Sequence, residues 1–281
     1  MIYFNENEID MWISEDVPYY DLTTYLLAIR DNPAEISFMT REDTMICGTE
    51  EVKRIFDKLG INTKMVMPSG TILPENTVFI EGEGSAEAVH KAWKVCVNIL
   101  EYSSGIATRT SDFVKKAKEN NPDIVVALTR KIFPGTKKLS VKAALCGGAV
   151  LHRLGLSESI LIFDEHIRLM GGIKKLPQKL EVIKKQTDEK KIEVEVHNFE
   201  DALFVAGLPV DFIQVDKLPP EKLKYFISSV KAINPCIKIA VAGGITINNV
   251  SDYSGVGIDL IVTSAPYFGK PADIKANILS L

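Results

Sequence analysis

TRKIFPGTKKLSVKAALCGGAVLHR, residues 129–153, holds seven Lys, Arg or His among its 25 positions in a chain whose net charge is −4. It follows the β-rich run IVVAL at 124–128, so Thr129, Arg130 and Lys131 are predicted at a strand's C-terminal end, where the chain leaves the sheet for solvent. Pro134-Gly135 turns the chain, and Leu139, Ala143 and Leu145 predict a helix that ends at Gly147-Gly148. His152 and Arg153 are then expected just before the next strand. Cations gathered at strand ends suit phosphate or carboxylate ligands, because guanidinium groups bind such oxygens in bidentate fashion. A solvated basic helix face is the alternative on composition alone.

Outward from this stretch, apolar runs alternate with helical segments: 124–128, 160–163, 192–196, 212–215, 237–241 and 259–262. Continuous β-branched runs suit parallel strands buried on both faces. The intervals, including 220–233 and 247–253, are long enough for crossover helices. Six βα units predict an α/β barrel rather than an antiparallel sheet. Before Gly105 the texture is mixed. Helices are expected from 5, over 50–59 with Gly60 as the stop, and over 85–102, where Val89, Trp93, Val97 and Leu100 recur at helical spacing. Short strands are expected at 35–39, 44–47 and 77–82.

Each barrel strand ends in a compact polar or glycine group: Thr129-Arg130-Lys131, Asp164-Glu165-His166, Glu195, Asp216-Lys217, Gly243-Gly244 and Thr263-Ser264. Barrel active sites lie at the C-terminal mouth, where these groups can converge. Gly243-Gly244 before Thr246 can offer backbone N–H groups to a phosphate, although a tight turn uses the same residues. Glu195 and Asp216 can hold Mg²⁺, which takes carboxylate and phosphate oxygens. Each alone is also an ordinary salt-bridge partner.

The net charge of −4 argues against a nucleic-acid surface, and no apolar run reaches membrane-spanning length. The acidic start MIYFNENEIDMW is not a signal peptide. Cys47, Cys96, Cys146 and Cys236 form no CxxC pair, which points away from zinc and disulfides and towards a reducing cytoplasm. Cys146 is read as packing, and His90 and His197 as surface or supporting residues.

Thr129-Arg130-Lys131 with Pro134-Gly135, Gly147-Gly148 and His152-Arg153 resembles the signature of the quinolinate phosphoribosyltransferase family. NILEYSSGIAT at 98–108 is similar to its "LN…SGIAT" segment, and DLTT at 21–24 to its "GDLT". IEVEV at 192–196, Asp216 and Gly243-Gly244 fall in family order, so the likeness covers nearly the whole chain. The resemblance implies an N-terminal α/β sandwich domain over 1–105 and an atypical open α/β barrel over 106–270. A C-terminal helix over 271–281 would pack back on the first domain. It further implies a homodimer, possible as a unit of higher oligomers, whose N-terminal layers close the partners' barrel mouths. Its members move phosphoribose from 5-phosphoribosyl-1-pyrophosphate (PRPP) to a ring nitrogen and release pyrophosphate with Mg²⁺. By that likeness Arg130, Lys131, Glu195 and Asp216 are catalytic, and the two carboxylates also hold the metal and the ribose hydroxyls. Thr129, Lys142, His152, Arg153 and Phe163 would bind substrate, with Lys94 and Arg109 offered to the partner's site. Gly243, Gly244 and Ser264 would cradle the 5′-phosphate.

The chain departs from that family's pattern at four positions. Lys94 stands for an Arg, Phe163 for the Lys of "IKDNH", Lys217 for the Asn of "LDN" and Ala242 for the Ser of "SGG". Losing carboxylate-binding cations leaves a dicarboxylate under-compensated. The expectation is a retained phosphoribosyl apparatus with changed acceptor recognition. TSAPYF at 263–268 and KPADI at 270–274 resemble the family's ModD branch, which is associated with molybdenum transport, though no Cys or His constellation here would bind that metal. The alternatives are a true quinolinate enzyme and a catalytically silent sensor of a phosphorylated metabolite.

Overall fold

The computed structural model describes residues 2–187 and 189–281. In chain order its strands are β1 (Pro33–Thr40), β2 (Thr44–Met45), β3 (Asn62–Val66), β4 (Ile72–Leu73), β5 (Val78–Ser85), β6 (Val125–Leu128), β7 (Val150–Leu151), β8 (Ile160–Ile162), β9 (Ile192–Val196), β10 (Phe212–Asp216), β11 (Lys238–Ala242), β12 (Leu260–Thr263) and β13 (Ile274–Ser280). The chain divides into two compact units. One comprises Met1–Asp112, Ile132–Gly148 and Pro266–Leu281, and the other Phe113–Lys131 and Ala149–Ala265. The basic helix Lys137–Cys146 therefore groups with the N-terminal residues, not with the barrel segment in which the sequence places it.

In the first unit an antiparallel sheet runs β13-β1-β5-β3. One face of it is covered by helices whose buried side chains repeat at helical spacing, such as Val52, Ile55 and Phe56 of Thr49–Leu59. Gly60 ends that helix with φ +76, where glycine adopts the left-handed turn without a Cβ penalty. Ser85 Oγ accepts from Ala88 N–H at the start of the long helix Ala86–Lys118. Val89, Val97 and Leu100 of that helix are buried as expected. Trp93 is 36% exposed, because the buried stripe passes through Ala92 and Cys96 instead.

The segment expected to close the chain as a helix is strand β13. Ala34 to Thr40 of β1 pairs in register with Ser280 to Ile274, so edge hydrogen bonds satisfy its backbone. Alternation of Ile274, Ala276 and Ile278 towards the core is the period-2 pattern a helix reading overlooks. The segment does return to the N-terminal unit.

The second unit is a parallel sheet in the order β7-β6-β12-β11-β10-β9-β8. Its two edges, β7 and β8, are consecutive in the chain, which makes this an open barrel. One set of alternating residues, including Val194, Ile213, Val241 and Ile261, is buried on the outer face of the strands. Helices such as Pro220–Ile233 bury Leu223, Phe226 and Val230, and Phe199–Ala206 lies against β9 and β10. The other set points inward and carries the polar groups. The sequence reading missed β7, whose two residues are too short for an apolar run to register. As a result His152 and Arg153, which precede β8, also follow directly on the C-terminal end of β7; His152 N–H donates to Leu128 O at 2.9 Å.

Candidate active site

Alternation on the parallel strands brings one set of residues to a cavity of about 790 Å³ at their C-terminal ends. Leu161 pairs with Glu193 across β8 and β9, and Gln214 with Glu195 across β9 and β10, so these side chains share a face. Two residues further along β10 that face holds Asp216. Thr129, Arg130 and Lys131 follow β6, His152 and Arg153 follow β7, and Phe163 follows β8. Gly243 and Gly244 follow β11, and Ser264 follows β12. All of these except Glu193 line the same cavity.

Its floor is acidic. Glu195 accepts a hydrogen bond from Gln214 Nε2 at 2.6 Å, and its other oxygen lies 3.5 Å from His197 Nε2. Burial pushes the Glu195 carboxyl above its ordinary value; Gln214 and His197 oppose this, and the charge of Asp216 adds to it. Two carboxylates that resist each other's charge, with hard oxygen donors, fit a Mg²⁺ ion. Among the described residues no group of three or more His, Cys, Asp or Glu is placed to hold a metal alone, so such an ion would complete its shell with substrate and water oxygens.

The opposite wall is cationic. Arg130 and Lys131 are exposed, and Arg153 is half-buried with its guanidinium 5.7 Å from the Phe163 ring centroid. Burial first, and then the charge of Arg130, lowers the Arg153 pKa, a repulsion that a bound anion relieves. The Phe163 ring stacks on His166 at 6.0 Å and 16°, and His166 Nδ1 accepts from Phe163 N–H. His166 thus supports Phe163.

Two residues stand outside expectation on the barrel wall. Glu193, buried, lies 2.9 Å from His152 Nε2 and leaves its Oε1 without a partner; Gln214 Oε1 is likewise unpartnered. Lys217 lines the same cavity. The signal for Glu193 was in the sequence: Glu193 and Glu195 alternate within an otherwise apolar strand, so one cannot point inward without the other.

Lys142, Arg109 and Lys94 belong to the first unit and are not among the residues that line the cavity; the last two were expected at a partner's site. Lys142 is buried in the first unit, where its Nζ bonds Glu50 at 2.6 Å and also Glu51, so its charge is paired within the chain. Arg109 donates from Nε to Pro266 O at 2.9 Å and from Nη1 to Lys270 O, which commits it to its own chain's backbone. Lys94 is exposed, with its ammonium 5.5 Å from the Trp93 ring. Cys146 packs beside a small cluster of Met45, Cys47, Ala107 and Ala143, as read.

Models of the quinolinate phosphoribosyl transferase N-terminal domain and C-terminal domain match residues 21–104 and 106–276. The chain belongs to the quinolinate phosphoribosyl transferase family. Proteins provisionally named pyrophosphorylase ModD are among its relatives. That of Pasteurella multocida is 36% identical over 99% of both chains, and that of Escherichia coli is 30% identical over 99% of this chain and 98% of its own. The structure of the nicotinate-nucleotide pyrophosphorylase from Francisella tularensis superposes with a TM-score of 0.89 at 25% identity, covering 99% of this chain and 98% of that one. NadC from Streptococcus pyogenes, at 24% identity and a TM-score of 0.88, shares the fold over 98% of each chain. The quinolinate phosphoribosyl transferases are pentosyltransferases acting on small molecules, and this chain is an enzyme of that type. Among the described residues no helix is long and apolar enough to cross a membrane.

Proposed function

We propose that this protein transfers phosphoribose from PRPP to a nitrogen heterocycle other than quinolinate, with release of pyrophosphate. The carrying observation is a single cavity with Arg130, Lys131 and Arg153 on one wall and Glu195 and Asp216 on its floor. In the reaction the ribose C1–O bond to pyrophosphate breaks and a C1–N bond to the acceptor forms. Arg130 and Lys131 take up charge on the departing pyrophosphate, and Glu195 and Asp216 favour the cationic ribose and hold its hydroxyls. The backbone N–H groups at Gly243-Gly244, with Ser264, receive the 5′-phosphate. Mg²⁺, held by Glu195 and Asp216, would supply further charge neutralisation of the leaving group. The test is a screen of ring-nitrogen compounds for pyrophosphate release with PRPP and Mg²⁺; release with none of a broad heterocycle panel would count against the reading.

Acceptor choice rests on Phe163. Its ring lies flat on His166 with the Arg153 guanidinium near it, a surface suited to stacking a planar ring. Quinolinate carries two carboxylates that need fixed cations, so it should be a poor acceptor. Phe163→Lys together with Lys94→Arg is expected to raise kcat/KM on quinolinate by about tenfold or more, the worth of a charge-assisted hydrogen bond. Efficient nicotinate mononucleotide synthesis by the unaltered protein would overturn this assignment.

The reading includes a cytoplasmic homodimer in which Lys94 of one chain reaches the partner's cavity. Support comes from the exposed Lys94 and from Trp93 beside it on one helix. Sedimentation at micromolar concentration should give a dimer, and a strictly monomeric particle that still binds PRPP fully would remove the idea.

A further inference from the structure

Lys217 follows β10 with φ +56, in the left-handed region that glycine and asparagine enter more readily than a long side chain. Its N–H donates to Ala242 O at 2.8 Å, which ties the turn to the end of β11. Its stem lies over the next turn: a Cβ on Gly243 would come within 2.7 Å of Lys217 Cγ and would also strike Asp216 Oδ1. Gly243 and Gly244 have φ +85 and +72, so their backbone bends into a concavity of the kind that binds anions. The Lys217 side chain is 76% exposed, and Asp216 Oδ2 lies 3.8 Å from its ammonium, too far for a hydrogen bond. A flexible cation is thus held beside a glycine turn on the wall of the cavity, in a backbone conformation that does not favour it. Strain of this kind concentrates where a side chain is needed for a ligand.

We propose that Lys217 is a substrate-binding residue for the phosphomonoester of the phosphoribosyl group, adding a point charge to the Gly243-Gly244 turn. The inference rests on the phosphoribosyl reading above and deepens it by adding Lys217 to the 5′-phosphate end. The rival role is local: Lys217 as no more than a counter-ion to Asp216.

Calorimetry on the full chain in Mg²⁺ buffer separates these, using PRPP, ribose 5-phosphate and inorganic pyrophosphate on the unaltered protein, Lys217→Asn and Lys217→Met. Ribose 5-phosphate and PRPP should each bind about tenfold more weakly to both variants, the loss expected of one charge-assisted hydrogen bond. Pyrophosphate should change little. Lys217→Asn should also melt above the unaltered protein, because asparagine tolerates the left-handed turn; a purely structural lysine would lower the melting temperature on removal. Unchanged ribose 5-phosphate affinity in both variants, or a loss confined to pyrophosphate, overturns the assignment while leaving the phosphoribosyl reading intact. If the unaltered protein binds neither PRPP nor ribose 5-phosphate, the phosphoribosyl reading itself fails and takes the assignment with it.

Discussion

Glu195→Ala and Asp216→Ala are each expected to weaken PRPP binding in the presence of Mg²⁺ by on the order of a hundredfold, the scale of removing one partner from a desolvated charged contact. Both carboxylates point into the cavity from neighbouring strands, β9 and β10, and the charge of Asp216 adds to the burial that makes Glu195 costly to ionise. Without a cation between them that repulsion is uncompensated. Affinity should therefore rise with pH as Glu195 loses its proton above its ordinary value of 4.5. Stability should move the other way. A carboxyl whose folded-state pKa is raised favours the folded state when protonated, so its charge costs stability as pH rises past the unfolded value. Glu195→Gln should consequently melt higher than the unaltered protein at neutral pH while losing ligand. Calorimetry and thermal melts on the same samples check both halves. Unchanged, metal-independent PRPP affinity in both alanine variants would show that the carboxylates are structural.

Lys142→Met is expected to destabilise the protein by about 3 kcal/mol, because it strips the cation from the buried carboxylate of Glu51 and from the part-exposed one of Glu50. The side chains of Lys142 and Glu51 are 8% and 4% exposed. Burial works against the charge of Glu50, yet the Lys142 ammonium and the Ser69 hydroxyl and N–H hold its carboxyl at about 2. Burial likewise lowers Lys142, and the two glutamates outweigh it, leaving the pKa raised. The signs fix the pH window. The Glu50 contribution is complete above 4.5 and is lost as pH falls towards 2, and the Lys142 contribution is complete below 10.5 and is lost above it. Denaturant titration across pH should show both flanks, and both should vanish in a Glu50→Gln, Glu51→Gln, Lys142→Met triple variant. That variant should also recover much of the lost stability, since no uncompensated charge remains. A single Lys142→Met variant as stable as the parent would mean the triad is solvated in solution.

The barrel was legible because parallel strands buried on both faces need unbroken apolar runs. The runs at 124–128 and 239–242 stand out for that reason, and so do the polar or glycine residues that follow them. Position made Arg130, Lys131, Glu195 and Asp216 candidates, because each lies at or just past a strand's C-terminal end and such ends of one parallel sheet share a mouth, and the family resemblance gave them their roles. Two-residue strands leave no such trace, which is why β7, the strand that His152 follows, was missed. The C-terminal strand β13 was misread because its short alternation gains meaning only from pairing with β1, 246 residues earlier in the chain at Ala34↔Ser280.

Local sequence determined the chemistry of each strand end, the helix stops and the family, because these depend on residue type and on spacings of a few positions. Tertiary structure decided which charges are free to meet a ligand. Lys142 and Arg153 lie in the same basic stretch, yet one is neutralised by Glu50 and Glu51 and the other faces the cavity. Nothing in the spacing of lysines announces that difference. A cation's role is set by the carboxylates within a few ångströms of it, and those come from segments far away in sequence.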